Sequence, residues 1–360
     1  MIVADLLAEL VSFPTQQAGP ERGAGDERAL CEYLAPLLRT AGADEVVLEG
    51  ATRSDGGPGA YVFARWGTPT RIINVHIDTV PANAGWSHDP WTPYIADGKL
   101  YGLGSADTKG AIAATLVAIE ATRPRDFGVL FSGDEEAGSG VMRSFLAGPH
   151  AAAIREVFVC EPTARTAGIA HRGILAQRAR LTGPGGHSSK ADHLPKPLAK
   201  LARLAAGLDD IGIRRRNDGP PGMQGTCLNI AALSGGVAFN VIPGRGELAW
   251  SIRHYPGFDR AAWDREVGEL AASIDPAITI ENVIEHVPFS CAALADHVRQ
   301  FVRSVGALDF WTEAALWASH GKDAIVIGPG DIAQAHAADE FVPLEDLEWA
   351  VGLVRSLVRR

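Results

Sequence analysis

The sequence predicts an α/β protein with one domain built on a twisted mixed sheet with helices on both faces, and an inserted α+β domain. Short apolar runs alternate with segments of helical periodicity over residues 1–166 and again over 284–360. Residues 167–283 show another order, in which strand pairs and helices are grouped. A chain of 360 residues is also long enough for two hydrophobic cores.

The first part alternates between predicted helices and strands. Apolar residues at helical spacing predict helices over 3–13, 25–41 and 109–122. Short apolar runs predict strands over 45–48, 61–66, 71–75, 128–132 and 156–160. Ligands of such sheets bind beyond the carboxyl ends of the strands, so polar residues at those ends are candidates for a functional site.

The inserted part begins with a long predicted strand over 168–181 and a glycine-rich turn at 183–186. Its other predicted elements are a helix over 198–208, strands over 227–233 and 247–253, a helix over 261–274 and a strand over 278–283. The α/β pattern then returns in four segments, over 292–305, 312–319, 324–327 and 344–357.

Composition and charge exclude several classes of protein. The net charge is −10, and the one basic run, Arg214–Arg216, is expected in a solvated Pro/Gly-rich loop, which argues against nucleic-acid binding. No apolar stretch approaches the roughly 20 residues that span a membrane, and the N-terminus is typical of an amphipathic helix and not of a signal peptide. Scattered cysteines indicate reduced thiols in a cytoplasmic protein: Cys31, Cys160, Cys227 and Cys291.

Histidine and acidic side chains follow the predicted strands of the first part. Imidazole and carboxylate groups are typical ligands of zinc, and the set predicts two divalent ions, zinc or alternatively cobalt. Asp107 is the candidate bridging ligand, His76 and Glu161 would hold one ion, and Glu136 and His336 the other. Taken singly, each residue is also typical of a core histidine, a solvated turn or the end of a strand. Their combination favours the metal site.

Two further acids have predicted catalytic roles. Asp78 lies two residues after His76, so it could accept the ring N–H and fix its tautomer. Glu135 neighbours Glu136 and is the candidate general base that activates water and then protonates a leaving amine. The chemistry predicted is hydrolysis of an amide. A nucleotide-binding interpretation of Gly102–Gly104 fails because a third correctly spaced glycine is missing.

Four motifs resemble the dinuclear zinc aminoacylase/carboxypeptidase family, the M20-type metallopeptidases: His76–Pro81, Gly102–Gly110, Asp134–Glu136 and Glu161–Thr163. The resemblance covers nearly the whole chain. It implies that 1–166 and 284–360 form the catalytic metal-binding domain, that 167–283 form a lid, and that the lid joins two copies into a homodimer. It also supports the metal roles given above.

The resemblance implies roles for residues of the lid. His187, in Gly185–Ser189, resembles the family histidine that reaches a neighbouring subunit's site and stabilises an oxyanion. Asn240 and Arg253 resemble substrate-binding residues, the arginine as a fork for the substrate carboxylate. The residues alone favour a loop histidine for His187 and a surface charge for Arg253, and only the resemblance favours the functional roles. Glu313 is expected near the substrate side chain.

The substrate expectation comes from two further segments. Asp309–Ala314 and Ile327–His336 resemble the branch with acetylornithine and N-acetylcitrulline deacetylases. We therefore expect removal of the acetyl group from N-acetyl-L-citrulline or N-acetyl-L-ornithine, in arginine biosynthesis. Succinyl-diaminopimelate desuccinylase and dipeptidase or carboxypeptidase activities remain alternatives, because the 209–225 loop could change the pocket. A non-catalytic binding protein is a third hypothesis, but it would have no need of Glu135.

Overall fold

The computed structural model describes residues 1–19 and 23–359, so residues 20–22 and 360 of the predicted catalytic domain lie outside it. The chain forms two compact units. The first unit comprises Met1–Ile169, Cys291–Leu308 and Thr312–Arg360, and the second comprises Ala170–Ser290 and Asp309–Trp311. The predicted limit at 283 falls inside a strand that runs to His286, because that strand continues past a bulge between Asn282 and Ile284.

The helices are α1 (Val3–Val11), α2 (Glu27–Thr40), α3 (Gly110–Thr122), α4 (Gly140–Ala147), α5 (Pro197–Arg214), α6 (Arg260–Ile274), α7 (Ala295–Val298), α8 (Ala314–Ser319) and α9 (Leu344–Val358). The strands are β1 (Glu45–Thr52), β2 (Pro58–Trp66), β3 (Arg71–His76), β4 (Tyr94–Ala96), β5 (Lys99–Tyr101), β6 (Phe127–Ser132), β7 (Glu156–Val159), β8 (Thr166–His171), β9 (Ile174–Thr182), β10 (Gly186–His187), β11 (Asn229–Ser234), β12 (Val241–Ile242), β13 (Arg245–Ile252), β14 (Thr279–His286), β15 (Phe289–Ser290), β16 (Ser304–Leu308), β17 (Asp323–Val326) and β18 (Phe341–Pro343).

The first unit is built on a mixed sheet in the order β1-β2-β6-β3-β7-β17-β8, with β16 beside β8. Strands β6, β3, β7 and β17 are parallel, and β1, β2 and β8 join antiparallel. The register pairs His76 with Ser132, and Val326 with Val159. Four carboxyl ends therefore meet at one edge of the sheet. The prediction of an α/β sheet is confirmed.

Helices cover both faces of this sheet because its strands are apolar on both sides. Along β2, Ala60 and Val62 face a core shared with α1, α2, α3 and α9. The alternate residues Tyr61 and Phe63 face the other side, where their rings pack against Phe145 of α4. Helix α8 lies on that second face, since it contacts β7 and β17. The period of two in the strands thus determines the three layers.

The second unit is an α+β structure with its own core. Its antiparallel sheet has the order β11-β13-β9-β14, with α5 packed against β9, β11 and β13 and with α6 against α5. Strands β9 and β13 alternate between buried and partly exposed residues, as expected for a sheet with one covered face. Trp250 and Trp263 are fully buried in this core. Strands β10 and β12 form a separate short pair.

Two predicted segments are wrong in extent. The long strand over 168–181 is two strands, which separate at Arg172 and Gly173. A side chain at Gly173 would lie 2.4 Å from the His286 carbonyl oxygen, so the break is a close approach of two backbones. Helix α5 continues to Arg214, which removes the first part of the predicted 209–225 loop. Residues 292–305, where the α/β pattern returns, hold α7, a short turn and the start of β16.

Among the described residues, no helix is both long enough and apolar enough to cross a bilayer.

Candidate metal centre

The carboxyl edge of the sheet brings together a histidine at the end of β3, an acid from the segment between β5 and α3, and an acid from the turn after β6. One ligand atom each from His76, Asp107 and Glu136 lies within 4.8 Å of the other two. His76 Nε2 is 3.0 Å from Asp107 Oδ1 and 3.7 Å from Glu161 Oε2. Asp107 and Glu161 therefore both lie near the same ring nitrogen of His76.

His336 approaches the same carboxylates from the segment after β17. Its Nε2 is 3.0 Å from Glu136 Oε1 and 3.3 Å from Asp107 Oδ2. Asp107 therefore presents one oxygen to His76 and the other to His336, which is the arrangement a bridging carboxylate needs. The His336 side chain is 49% exposed, so this side of the cluster is open to solvent.

The donor set fits divalent ions because it concentrates negative charge in a buried space. Burial raises the pKa of Glu161 to about 8, and the positive charge of His76 only partly opposes it. Burial and the Asp107 charge likewise raise the pKa of Glu136. Burial also opposes ionisation of Asp107, but hydrogen bonds with His336 and His76 lower its pKa below the ordinary value. A buried cluster of carboxylates is energetically unfavourable by itself, and it becomes favourable when cations neutralise its charge.

Two residues at the edge adopt left-handed backbone conformations. Asp134 has φ 66° and His336 has φ 59°. Such conformations cost energy for residues other than glycine and tend to occur at functional sites. Here they turn the chain so that Glu136 and His336 face one another.

Asp78 is buried and organises the turn that follows β6. Its carboxylate accepts hydrogen bonds from Gln17 Nε2 at 2.5 Å and from the backbone N–H groups of Glu135 and Glu136 at 3.1 Å each. The His76 ring differs from expectation, because Nδ1 is 3.0 Å from the carbonyl oxygen of Asp78 and 3.6 Å from its carboxylate. Asp78 therefore holds the ring mainly through its backbone, since its carboxylate is engaged by the turn.

Glu135 begins a single turn of helix, Glu135–Ala137, and is half-buried. Burial raises the pKa of its carboxyl well above the ordinary value, and the negative charge of Glu161 raises it further. A carboxylate with a raised pKa, fixed beside a metal-ligand cluster, meets the electrostatic requirement for a general base.

The support beneath this turn includes residues that the sequence did not single out. Glu27 accepts a hydrogen bond from the Asp134 backbone N–H at 3.1 Å. Asp134 Oδ2 accepts from Ser54 and from the backbone N–H of Gly140. Arg53 lies 3.7 Å from both Glu27 and Asp134. The only sequence signal was Asp134 itself, as the first member of the acidic triplet.

Glu313 is only 1% exposed, and Oε2 accepts a hydrogen bond from Ser132 Oγ at 3.0 Å. Ser132 Oγ in turn accepts from Asn74, whose side-chain oxygen accepts from Trp317 Nε1 at 2.7 Å. This buried chain favours a supporting role for Glu313 over the expected contact with a substrate, because its carboxylate lacks an open surface.

The three remaining predicted residues, His187, Asn240 and Arg253, lie in the second unit and are all exposed. Strand pairing of His187 with Val241, and a hydrogen bond from Ser188 N–H to the Asn240 carbonyl at 2.9 Å, bring His187 and Asn240 close together. Arg253 follows β13, and its N–H donates to the Thr226 carbonyl.

A cavity of about 900 Å³ in the first unit opens beside the cluster. Its lining includes Gln16, Val80, His88 and two tryptophans, Trp86 and Trp91, together with His336. The size is typical of pockets for small molecules.

The sequence is similar to several deacetylases and desuccinylases along almost all of its length. N-acetyl-L-citrulline deacetylase from Xanthomonas campestris pv. campestris is 36% identical over 371 residues, covering 98% of this chain and 96% of that protein. Succinyl-diaminopimelate desuccinylase from Stenotrophomonas maltophilia is 31% identical, covering 99% and 98%. Acetylornithine deacetylase from Proteus mirabilis is 28% identical, covering 98% and 95%.

The fold is similar to solved structures of metallopeptidases. An M20 family metallo-carboxypeptidase from Sulfolobus solfataricus superposes with a TM-score of 0.78 at 15% identity, covering 99% of this chain and 98% of that one. A dinuclear metal-binding peptidase of the M20 family from Bacillus subtilis has a TM-score of 0.65 at 15% identity, covering 99% and 96%. The sequence profile of peptidase family M20/M25/M40 matches residues 72–360. The chain belongs to this family and is a metal-dependent amide hydrolase.

Proposed function

We propose that this enzyme removes the acetyl group from an Nα-acetylated amino acid, N-acetyl-L-citrulline or N-acetyl-L-ornithine, as a step in arginine biosynthesis. The observation that carries the proposal is the 36% identity to N-acetyl-L-citrulline deacetylase across 98% of the chain. The cavity beside His336 supports a small substrate, since about 900 Å³ is enough for an acylated amino acid.

The proposed centre holds two divalent ions, zinc or alternatively cobalt, on His76, Asp107, Glu136, Glu161 and His336. Bound there, such ions supply Lewis acidity toward the amide carbonyl and lower the pKa of water. Support comes from the two oxygens of Asp107, which face different histidines at 3.0 and 3.3 Å. The dinuclear peptidase from Bacillus subtilis with the same fold is consistent with two ions.

The protein's own groups would handle the proton and the substrate. Glu135 takes a proton from water and passes it to the leaving amine. Asp78 keeps Glu135 in place, because its carboxylate accepts a hydrogen bond from the Glu135 backbone N–H. His187 donates to the oxyanion, while Asn240 and the Arg253 guanidinium bind the substrate, the latter through its carboxylate. All three side chains are exposed, and since His187 Nδ1 contacts Ser189 Oγ at 2.8 Å, the histidine would donate through Nε2.

We also propose that two copies associate through the second unit. Several apolar side chains near β11 and β12 are exposed, and Val237 and Phe239 are among the most exposed in the described chain. An unpaired edge strand beside an apolar surface is a typical site of association. The free cysteines, of which Cys31 and Cys160 are buried, support a reducing compartment, the cytoplasm.

Desuccinylation is the second candidate, because succinyl-diaminopimelate desuccinylase is 31% identical over 99% of the chain. The amide chemistry is the same, and the substrates differ in the acyl group and in the amino acid that carries it. In a dipeptide, an aminoacyl group takes the place of the acetyl or succinyl group.

A substrate panel separates these candidates. Zinc- and cobalt-loaded protein is assayed for acetate release from N-acetyl-L-citrulline and N-acetyl-L-ornithine, for succinate release from N-succinyl-diaminopimelate, and for dipeptide cleavage. The proposal predicts the highest kcat/KM with an acetylated substrate. Turnover of the succinylated substrate or the dipeptides, with no acetate from either acetylated one, would contradict it.

A further inference from the structure

The carboxylate of Glu340 is buried, with 1% exposure, and it lies against the loop that carries Asp107. Its Oε1 accepts hydrogen bonds from the backbone N–H groups of Ala106 at 2.9 Å and Asp107 at 3.0 Å. Its Oε2 accepts from the N–H of Gly104 at 3.0 Å. The Glu340 carboxylate thus accepts hydrogen bonds from three backbone N–H groups of one loop. One of these groups belongs to Asp107, the candidate bridging ligand.

The same residue also holds this loop through its backbone. The Glu340 carbonyl oxygen accepts from the Gly102 N–H at 2.9 Å. Strand β18 then begins at Phe341 and pairs with Tyr101 in β5. Glu340 therefore fixes the loop from its first residue to Asp107, and the loop has little freedom to adjust on its own.

The tight path of the loop depends on this acceptor. Gly104 has φ 80°, a conformation that favours glycine, and a side chain there would lie 2.7 Å from Thr79 Cγ2. The nearby ammonium group of Lys109 donates to the Phe13 carbonyl at 2.7 Å, so it is engaged elsewhere. Without the Glu340 carboxylate, three buried N–H groups would lose their acceptor, which is unfavourable for this conformation.

Glu340 and His336 belong to one short segment, and this segment is anchored at a second point. Asp339 Oδ1 accepts from the Ser87 N–H at 2.9 Å and from its hydroxyl at 3.0 Å. The segment thus carries both the His336 imidazole, which faces the Asp107 carboxylate, and the Glu340 carboxylate, which fixes the Asp107 backbone. A shift of the segment would move both the shared ligand and the second histidine.

We propose that Glu340 is a positioning residue that sets the Asp107 carboxylate between the two ion positions and couples it to His336. It acts on the ions through Asp107 and contacts neither ion nor substrate. The inference rests on the proposed two-ion centre and is independent of which acyl group is removed. Residues that orient metal ligands typically affect metal affinity or activity by about 10–100-fold.

The test is a cobalt titration of the metal-free full-length chain, followed by visible absorption, in wild type, Glu340→Gln, Glu340→Asp and Glu345→Gln. Glutamine keeps one acceptor oxygen but turns an NH₂ group toward a backbone donor, and aspartate keeps the charge but withdraws the carboxylate. Glu345 is the matched control, because its side chain is 77% exposed five residues further along. Circular dichroism and urea unfolding of each metal-free protein report the folded fraction.

We expect wild type and Glu345→Gln to bind two cobalt ions with the same spectrum. Both Glu340 variants should stay folded, bind at least one ion about 10–100-fold more weakly, and show an altered spectrum. Wild-type affinity and spectrum in both Glu340 variants would overturn the inference, and so would loss of the folded state in both, since Glu340 would then support the fold alone. Failure of the wild type to bind two ions would instead contradict the proposed centre.

Discussion

Burial and mutual repulsion control the behaviour of the acidic side chains at the sheet edge. Glu135, Glu136 and Glu161 all have raised pKa values because they are buried near other carboxylates. The ligand types could be predicted from sequence, because histidines and acids directly after apolar strands are unusual in a core. Glu340 could not, since it lies 236 residues from Gly104 and nothing in its local sequence indicates that contact.

Replacement of Glu135 by glutamine tests the general base. The amide keeps the shape of the side chain but cannot take a proton, so kcat should fall by about 10²–10⁴-fold. The metal content and the urea midpoint should remain close to those of wild type. Glu348→Gln, an exposed change on α9, is the control and should retain full activity. A Glu135→Gln enzyme with wild-type kcat would refute the assignment.

Glu27 provides a pH-dependent prediction away from the metal ligands. Burial raises its pKa from 4.5 to about 8, the Asp78 charge raises it too, and Arg53 partly opposes both. A carboxyl whose pKa is raised in the folded state stabilises the fold below pH 4.5, and this contribution is lost as the pH rises through 8.

Glu27→Gln removes this titration. Between pH 5 and 8, the free energy of unfolding of the variant should therefore rise relative to that of wild type, by up to about 1.4 kcal/mol for each pH unit. Urea unfolding at each pH, with metal-free protein, measures the difference. Glu32→Gln on the exposed side of α2 is the control. A difference that is constant with pH would be inconsistent with a raised pKa.

At the scale of elements, apolar periodicity predicted the central strands and the long helices because each buries a continuous face. Apolar periodicity did not predict the features that depend on contacts between segments remote in sequence. Residues 168–181 were predicted as one long strand, but the close approach of His286 to Gly173 interrupts it. Nothing in the local sequence predicts that β16 begins at Ser304 and pairs with β8. Pairing partners remote in sequence cannot be inferred from a local pattern.

Gly133 tests how the turn after β6 is supported. A side chain there would lie 2.0 Å from Glu27 Oε2, the carboxylate that accepts from the Asp134 N–H through its other oxygen. Gly133→Ala should therefore displace Glu27 and lower the free energy of unfolding by about 1–3 kcal/mol. Chemical denaturation measures this loss.

The control is Gly352→Ala in α9, where the added methyl group meets no atom within 4 Å. It should raise stability by about 0.5–1 kcal/mol. Equal effects of the two substitutions would show that the turn is not constrained as described.

At the scale of the whole molecule, the sequence indicated two units because the order of elements changes along the chain. Each unit has its own buried core. The surface of the second unit is unusual, because large apolar side chains are exposed near β11 and β12. A surface of this kind is costly to leave in water, which supports the proposed association of two copies.

Leu233→Glu places a charge at this surface, at a residue of β11 that is 42% exposed. Light scattering with size exclusion should give twice the 38.0 kDa chain mass for wild type and the single mass for the variant. Val283→Glu on β14, at the opposite edge of the same sheet and 48% exposed, is the matched control and should remain dimeric. A monomeric wild type would rule out the proposed dimer.

Metal content is the most direct measurement of the central claim, that five side chains remote in sequence hold two divalent ions. Metal-free protein is reconstituted with zinc, dialysed and measured by plasma mass spectrometry, alongside His336→Ala and His76→Ala. We predict two zinc ions per wild-type chain and fewer in each histidine variant. A wild-type chain that retains no zinc, or variants that retain as much as wild type, would contradict the account.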